Sequence, residues 1–230
     1  MEPKRPANLD EYADLCLKTL AEQGLGRLVS IGGAVGLAHF LDYRRTHDLD
    51  AWWRPEATSE QRERILTAVG DALSRSGDVR RRSWGEVVSI ELVTNYKVVF
   101  SFQVAARTVQ LAPPQTAPWI DVFLDSFDDL VASKMVALVE RGLPRDFRDI
   151  FALCQAGLCS PEHCWDLWRQ RQSGARATQE PDRARTAVLT HLEKIVKHRP
   201  LESIPDPAER AEASRLRRWF ATEFLDALPH

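Results

Sequence analysis

Two periods run through the chain. In some stretches apolar residues recur every three to four positions; in others they alternate with polar ones. Tyr12, Leu15, Leu17 and Leu20 form the apolar side of a predicted helix over 9–25, ended by Gly24. Residues 27–31 (RLVSI) read as a short strand running into Gly32-Gly33, 34–43 as a short apolar helix, and 47–53 (HDLDAWW) as a second strand. Thr58-Ser59-Glu60-Gln61 has the form of a helix start, and the helix runs to about Ser74. Strand patterns follow at 79–84, 86–93 and 97–104, with a turn at Ser76-Gly77 before them and a hairpin turn at Asn95 between the last two. In the third, Phe100, Phe102 and Val104 face one way, Ser101 and Gln103 the other. Ala112-Pro113-Pro114 breaks the pattern, and 119–124 is a further predicted strand.

After Ser126 the helical period takes over. Helices are predicted over 126–142, 145–157, 160–172, 181–198 and 207–228, separated by Pro144, Gly157, Ser173-Gly174 and the prolines 205 and 207. The fold class expected is α+β: a mixed-sheet domain over 1–125, then a helical domain over 126–230. No internal repeat is visible, and the polar segment 174–182 is the nearest thing to a linker.

Composition narrows the function classes. The 230 residues suit one large domain or two small ones, and 44% hydrophobic with 28% charged residues is ordinary for a soluble protein. A formal net charge of -2 gives no global attraction to nucleic acid, so any RNA contact must come from a local basic patch. No apolar run approaches the ~20 residues of a membrane span. The opening MEPKRPANLDEY has no hydrophobic stretch of a secretory signal. With four cysteines, this points to free thiols and a cytoplasmic location.

The chemically informative piece is Asp48-Leu49-Asp50. Positions two apart on a strand face the same way, so both carboxylates lie side by side while Leu49 points to the core. Two neighbouring carboxylates repel each other unless a cation neutralises them, and magnesium prefers carboxylate oxygens together with substrate phosphates. Gly32-Gly33 at the end of the preceding strand would let backbone N–H groups approach a phosphate, and Arg44, Arg45 and Thr46 lie just before the carboxylates. An isolated Asp-x-Asp usually sits in a solvated loop and an isolated Gly-Gly is usually a turn. The combination is more specific than either.

GGAVGLAHFLDYRRTHDLDAWW (32–53) resembles the signature of the AbiEii/MenT-type nucleotidyltransferases, toxins of type IV toxin–antitoxin and phage-abortive systems within the polymerase-β-like superfamily. The resemblance continues in DDLVASKMVALVERGLPRDFRDIFAL (128–153), where the family's Lys, Arg and Arg-Asp-x-x-Asp map onto Lys134, Arg141, Arg145, Asp146 and Asp149. Read from the residues alone, Phe127, Leu130, Val131 and Leu138 form an apolar stripe on which Lys134 and Arg141 also fall. An inward lysine needs a partner: a phosphate, or Asp146 or Asp149. The plain alternative is a snorkelling lysine or a structural ion pair.

The resemblance implies a polymerase-β-like nucleotidyltransferase using an NTP with Mg2+ or Mn2+. Asp48 and Asp50 would hold the metal. Gly32, Gly33, Arg44, Arg45, Thr46, Arg141 and Arg145 would bind the nucleotide. Lys134 would balance charge on the leaving pyrophosphate, and Asp146 or Asp149 would position the acceptor hydroxyl. It also implies an RNA acceptor, tRNA foremost, and a cognate antitoxin; no membrane partner is expected. The alternatives are transfer to a small molecule or a protein, or a nucleotide-binding module without turnover. The pattern is incomplete at one point. Superfamily members often carry a third carboxylate on a neighbouring strand, where 98–104 offers Ser101 and Gln103; Glu91 and Asp121 are the substitutes in reach. Cys154, Cys159 and Cys164 lack paired zinc-knuckle spacing and read as buried thiols. Arg80-Arg81-Arg82 reads as a solvated edge strand, or an RNA contact.

Overall fold

The computed structural model describes residues 1–228, so the last two positions of the predicted helical domain lie outside it. The chain divides into two compact units, Met1–Leu130 and Val131–His230.

The first unit is built on a mixed seven-stranded sheet in the order β3-β4-β5-β2-β1-β7-β6. Its strands are β1 (Val29–Ile31), β2 (Asp48–Trp53), β3 (Asp78–Trp84), β4 (Val87–Thr94), β5 (Lys97–Ala105), β6 (Gln115–Thr116) and β7 (Phe123–Leu124). β2 runs parallel to β5 and β1 parallel to β7, and the other neighbours are antiparallel. The β4–β5 hairpin closes through Asn95 and Tyr96, both at positive φ (50° and 61°), which suits a two-residue primed turn. Period-two alternation decides the two faces. Leu49, Ala51 and Trp53 of β2, Phe100, Phe102 and Val104 of β5, and Ile90 and Leu92 of β4 are buried in one cluster. Ala13, Leu17 and Leu20 of α1 (Glu11–Glu22) and Ile65, Val69 and Leu73 of α3 (Ser59–Ser74) join it. α3 starts where expected: Thr58 Oγ1 accepts from Gln61 N–H, and the Gln61 side chain accepts from Thr58 N–H.

Two expectations in this unit need correction. The helix predicted over 34–43 is only α2 (Gly33–Ala38). His39 caps it, and its carbonyl is taken by Lys4 N–H, so the chain leaves the helical path there. The strand predicted over 119–124 is reduced to Phe123–Leu124, because Ala117 N–H bonds Val122 O and Val122 N–H bonds Ile120 O, closing 117–122 into a turn.

The second unit is helical. It holds most of α4 (Phe127–Glu140), then α5 (Pro144–Gln155), α6 (Pro161–Gly174), α7 (Pro181–His198) and α8 (Pro207–Trp219). Pro144 opens α5 instead of preceding it, since a first-turn proline loses no helical hydrogen bond. The last predicted helix leaves α-geometry at Phe220–Phe224, a single wide turn. There Phe220, Phe224 and Trp219 pack ring against ring, at centroid separations of 4.8 to 5.2 Å.

Candidate functional site

The polar face of the sheet carries the candidate chemistry. Asp48 and Asp50 project from β2 on the side opposite the core, both half-buried. β5 sets Ser101 beside Asp48 and Gln103 beside Asp50. Ser101 Oγ donates to Asp48 Oδ1 at 2.8 Å, and Gln103 Nε2 donates to Ser101 Oγ at 3.2 Å. This relay holds the Asp48 carboxylate in one orientation. The residues that break the superfamily pattern therefore act as props for the first carboxylate.

On the other side of β2, Gly32 N–H donates to Asp50 O (2.9 Å), so that N–H serves the sheet. Gly33 sits at φ +58°, and a Cβ there would meet Asp50 Oδ2 at 2.0 Å. Only glycine fits between the turn and this carboxylate. Gly33 and the next residues open α2, so their N–H groups have no partner within the helix. Thr46 Oγ1 accepts from Asp48 N–H at 3.4 Å, which places Thr46 in the strand entry. Arg44 lies over the Tyr43 ring and donates to its hydroxyl, while Arg45 is exposed.

The two substitutes for the third carboxylate lie elsewhere. Glu91 is on the same face but one strand beyond Ser101, where Arg82 meets it at 3.4 Å. Asp121 is half-exposed and pairs with Arg27 at 2.7 Å. Sequence reasoning passed over Asp125, which follows β7 and is 1% exposed. It accepts from Ser30 Oγ at 2.6 Å and from Arg107 Nη2, and its Oδ2 stands 3.0 Å from where a Gly32 Cβ would be. Burial pushes the Asp125 carboxyl above the usual range, against the pull of Arg107. Asp129 lies within 3.8 Å of the same guanidinium and accepts from Leu111 and Ala112 N–H, so the pair anchors the loop after β5. No local pattern marks the Asp125 contacts: Ser30 lies 95 positions away and Arg107 18.

The second motif falls in the helical unit. Lys134 on α4 is 8% exposed, and its Nζ meets Asp149 Oδ2 of α5 at 2.5 Å. Arg141 forms a fork on Asp146, Nε and Nη2 each at 2.9 Å from a carboxylate oxygen, and Asp146 also accepts from Leu143 N–H. Asp146 and Asp149 are fully buried and each is matched by a cation, whereas Arg145 is exposed. The thiols of this unit sit close together, Cys164 Sγ 3.3 Å from Cys159 Sγ and 3.9 Å from Cys154 Sγ. Among the described residues no group of three metal-ligating side chains is poised for an ion.

The family model for the nucleotidyl transferase AbiEii toxin of type IV toxin–antitoxin systems matches residues 17–230. The chain belongs to the AbiEii family. Its enzymatic class is therefore nucleotidyl transferase, and membership implies an NTP substrate and an antitoxin counterpart. No curated protein matches the chain. Among solved structures it is similar to a nucleotidyltransferase candidate from H. pylori, at 16% identity and TM-score 0.49 over 96% of each chain. It is also similar to an antigenic nucleotidyltransferase-like protein from Paracoccidioides brasiliensis, at 13% identity and TM-score 0.42 over 92% of this chain and 95% of that one. The α+β architecture expected for an AbiEii protein, a mixed sheet followed by helices, is the one observed. Among the described residues no helix is long and apolar enough to cross a membrane.

Proposed function

We propose that this AbiEii protein transfers a nucleoside monophosphate from an NTP to an RNA acceptor, tRNA foremost, in a magnesium-dependent reaction. The observation that carries the reading is the carboxylate pair of β2, with Asp48 fixed by Ser101 and Asp50 pressed against a turn that only glycine can make. Two carboxylates on one strand face fit a magnesium ion, which binds through one or two carboxylates and completes its shell with water and phosphate oxygens. Manganese shares these ligand preferences. Bound there, the ion would neutralise charge on the triphosphate.

The protein's own groups do the rest. N–H groups that follow the Gly33 turn donate to phosphate oxygens. Arg44, Arg45 and Thr46, entering β2 beside Asp48, contact phosphate. In the transfer, an acceptor hydroxyl oxygen bonds to the α-phosphorus as the bond to the β-phosphate oxygen breaks. The hydroxyl proton leaves to solvent water as the new bond forms.

The test is incubation of the protein with each labelled NTP, magnesium and total tRNA, beside Asp48→Ala and Asp50→Ala. Label is expected on tRNA with the unmodified protein alone, and it names the nucleotide. Label on the protein or a small molecule instead would reassign the acceptor. NTP binding with no transfer to any acceptor would leave a nucleotide-binding module.

A further inference from the structure

The register of the sheet sets two polar rows across four strands. One runs Asp48, Ser101, Glu91, Arg80, the other Asp50, Gln103, Ser89, Arg82. Each starts at a candidate metal carboxylate and ends on an arginine of β3, three strand spacings or roughly 14 Å away. The rows are buried in the middle, at Ser89 and Ser101, and emerge at the β3 edge. Trp84 continues the Arg80–Arg82 alternation on the same side and is 49% exposed.

We infer that this β3 edge, made of Arg80, Arg82 and Trp84, is a binding surface for a single-stranded segment of the RNA acceptor. The inference rests on the reading of Asp48 and Asp50 as the transfer site and says where its acceptor lies. Arginines alone would be ordinary protection of a sheet edge. Three observations set this edge apart. Arg81, on the opposite face, is fully engaged by a two-pronged pair with Glu63 (2.5 and 3.0 Å), whereas Arg80 has no ion-pair or hydrogen-bond partner among the described residues. Arg82 is half-exposed and meets Glu91 only at 3.4 Å, a contact a phosphate can replace. An exposed indole does nothing to protect an edge, but gives a base a surface to stack on. Cations that track the backbone combined with an aromatic on which a base stacks are what a sequence-tolerant single-strand surface needs. The charge is local, as it must be in a chain of net charge -2.

The experiment is fluorescence anisotropy of a labelled, unstructured single-stranded RNA of about twelve nucleotides, within the usual range of site sizes. It is run without NTP, so that binding is read apart from transfer, over about 50 to 200 mM salt. Replacing both arginines (Arg80→Gln with Arg82→Gln) is expected to weaken binding about tenfold and flatten the dependence of log affinity on log salt by ~0.7 to 1.4, one or two phosphate contacts. Trp84→Ala is expected to weaken binding about fivefold or more with the salt slope unchanged, and Trp84→Phe to restore most of it. Circular dichroism melts of each variant separate lost contact from lost fold. Affinities unchanged in all three variants would overturn the surface, and so would equal weakening by Trp84→Phe and Trp84→Ala. Failure of the transfer reading looks different: no label moves from any NTP, yet RNA binding still depends on these residues.

Discussion

Gly33 and Asp50 are a matched pair. The glycine combines positive φ with a close approach to the carboxylate, so Gly33→Ala meets both backbone strain and a side chain already in the space. Strain of this kind costs about 1–3 kcal/mol. Moving a reacting group by an ångström costs about a hundredfold in rate. The variant is therefore expected to stay folded, with a melting point lower by a few degrees, and to lose about a hundredfold or more of transfer activity. A variant with full activity would remove Asp50 from the site. His39, at the end of the helix that Gly33 opens, supports a pH prediction. Its Nδ1 donates to Val35 O at 2.9 Å, and the ring stacks on Trp119. Burial lowers its pKa from the ordinary 6.5, against smaller opposing effects of the Val35 and Gly36 carbonyls. Above pH 6.5 neither state binds the proton. As pH falls below 6.5 the unfolded chain takes up a proton that the folded ring refuses, and stability drops toward the lowered pKa, by up to ~1.4 kcal/mol per pH unit. His39→Gln is expected to flatten the fall in stability between about pH 6.5 and 5.5 in chemical denaturation. Identical slopes would show that His39 titrates as it does in the unfolded chain.

α4 and α5 are joined by an ion pair, one of the several partners for Lys134 that the sequence left open. Lys134 lies on the apolar stripe of α4 and Asp149 is fully buried on α5, so removing the lysine strands a buried carboxylate. Breaking such a pair from one side costs about 3–5 kcal/mol, whereas replacing both partners by apolar groups is often neutral. Lys134→Ala is thus expected to unfold in markedly less urea than the unmodified protein. The double replacement Lys134→Met with Asp149→Leu is expected to recover most of the midpoint. If the double variant is stable and inactive, the pair serves the reaction; if stable and active, it is structural. Elements announced by strong local chemistry were legible in the same way. The capping box at Thr58, the Asn95 hairpin and the alternation of β5 all stand where the sequence put them. What failed was length. α2 stops at His39 because a distant N-terminal residue takes its carbonyl, and 119–124 turns back on itself through bonds that apolar spacing does not reveal. Of the site, the β2 carboxylates and the glycines were readable because period two and a turn are local. The Ser101 prop and the Asp125–Arg107 pair depend on strand order, which the sequence does not display.

The two units each carry their own buried residues, and the carboxylates Asp48 and Asp50 with the Gly33 turn belong to Met1–Leu130. Heat unfolding of the chain need not be one transition, and a ligand stabilises only the folded form it binds. This turns the metal reading into a measurement that needs no acceptor. With NTP and magnesium at about 100 times their dissociation constant, the stabilisation is ~2.7 kcal/mol, a rise of several degrees in the melting point. Calorimetry is expected to show that rise with both present, and little with magnesium alone, because two carboxylates leave most of the ion's shell to phosphate and water. Asp48→Ala with Asp50→Ala is expected to abolish the shift. A shift that persists in the double variant would move the nucleotide off β2 altogether, and the carboxylate pair would then be a polar surface of the sheet with no part in binding.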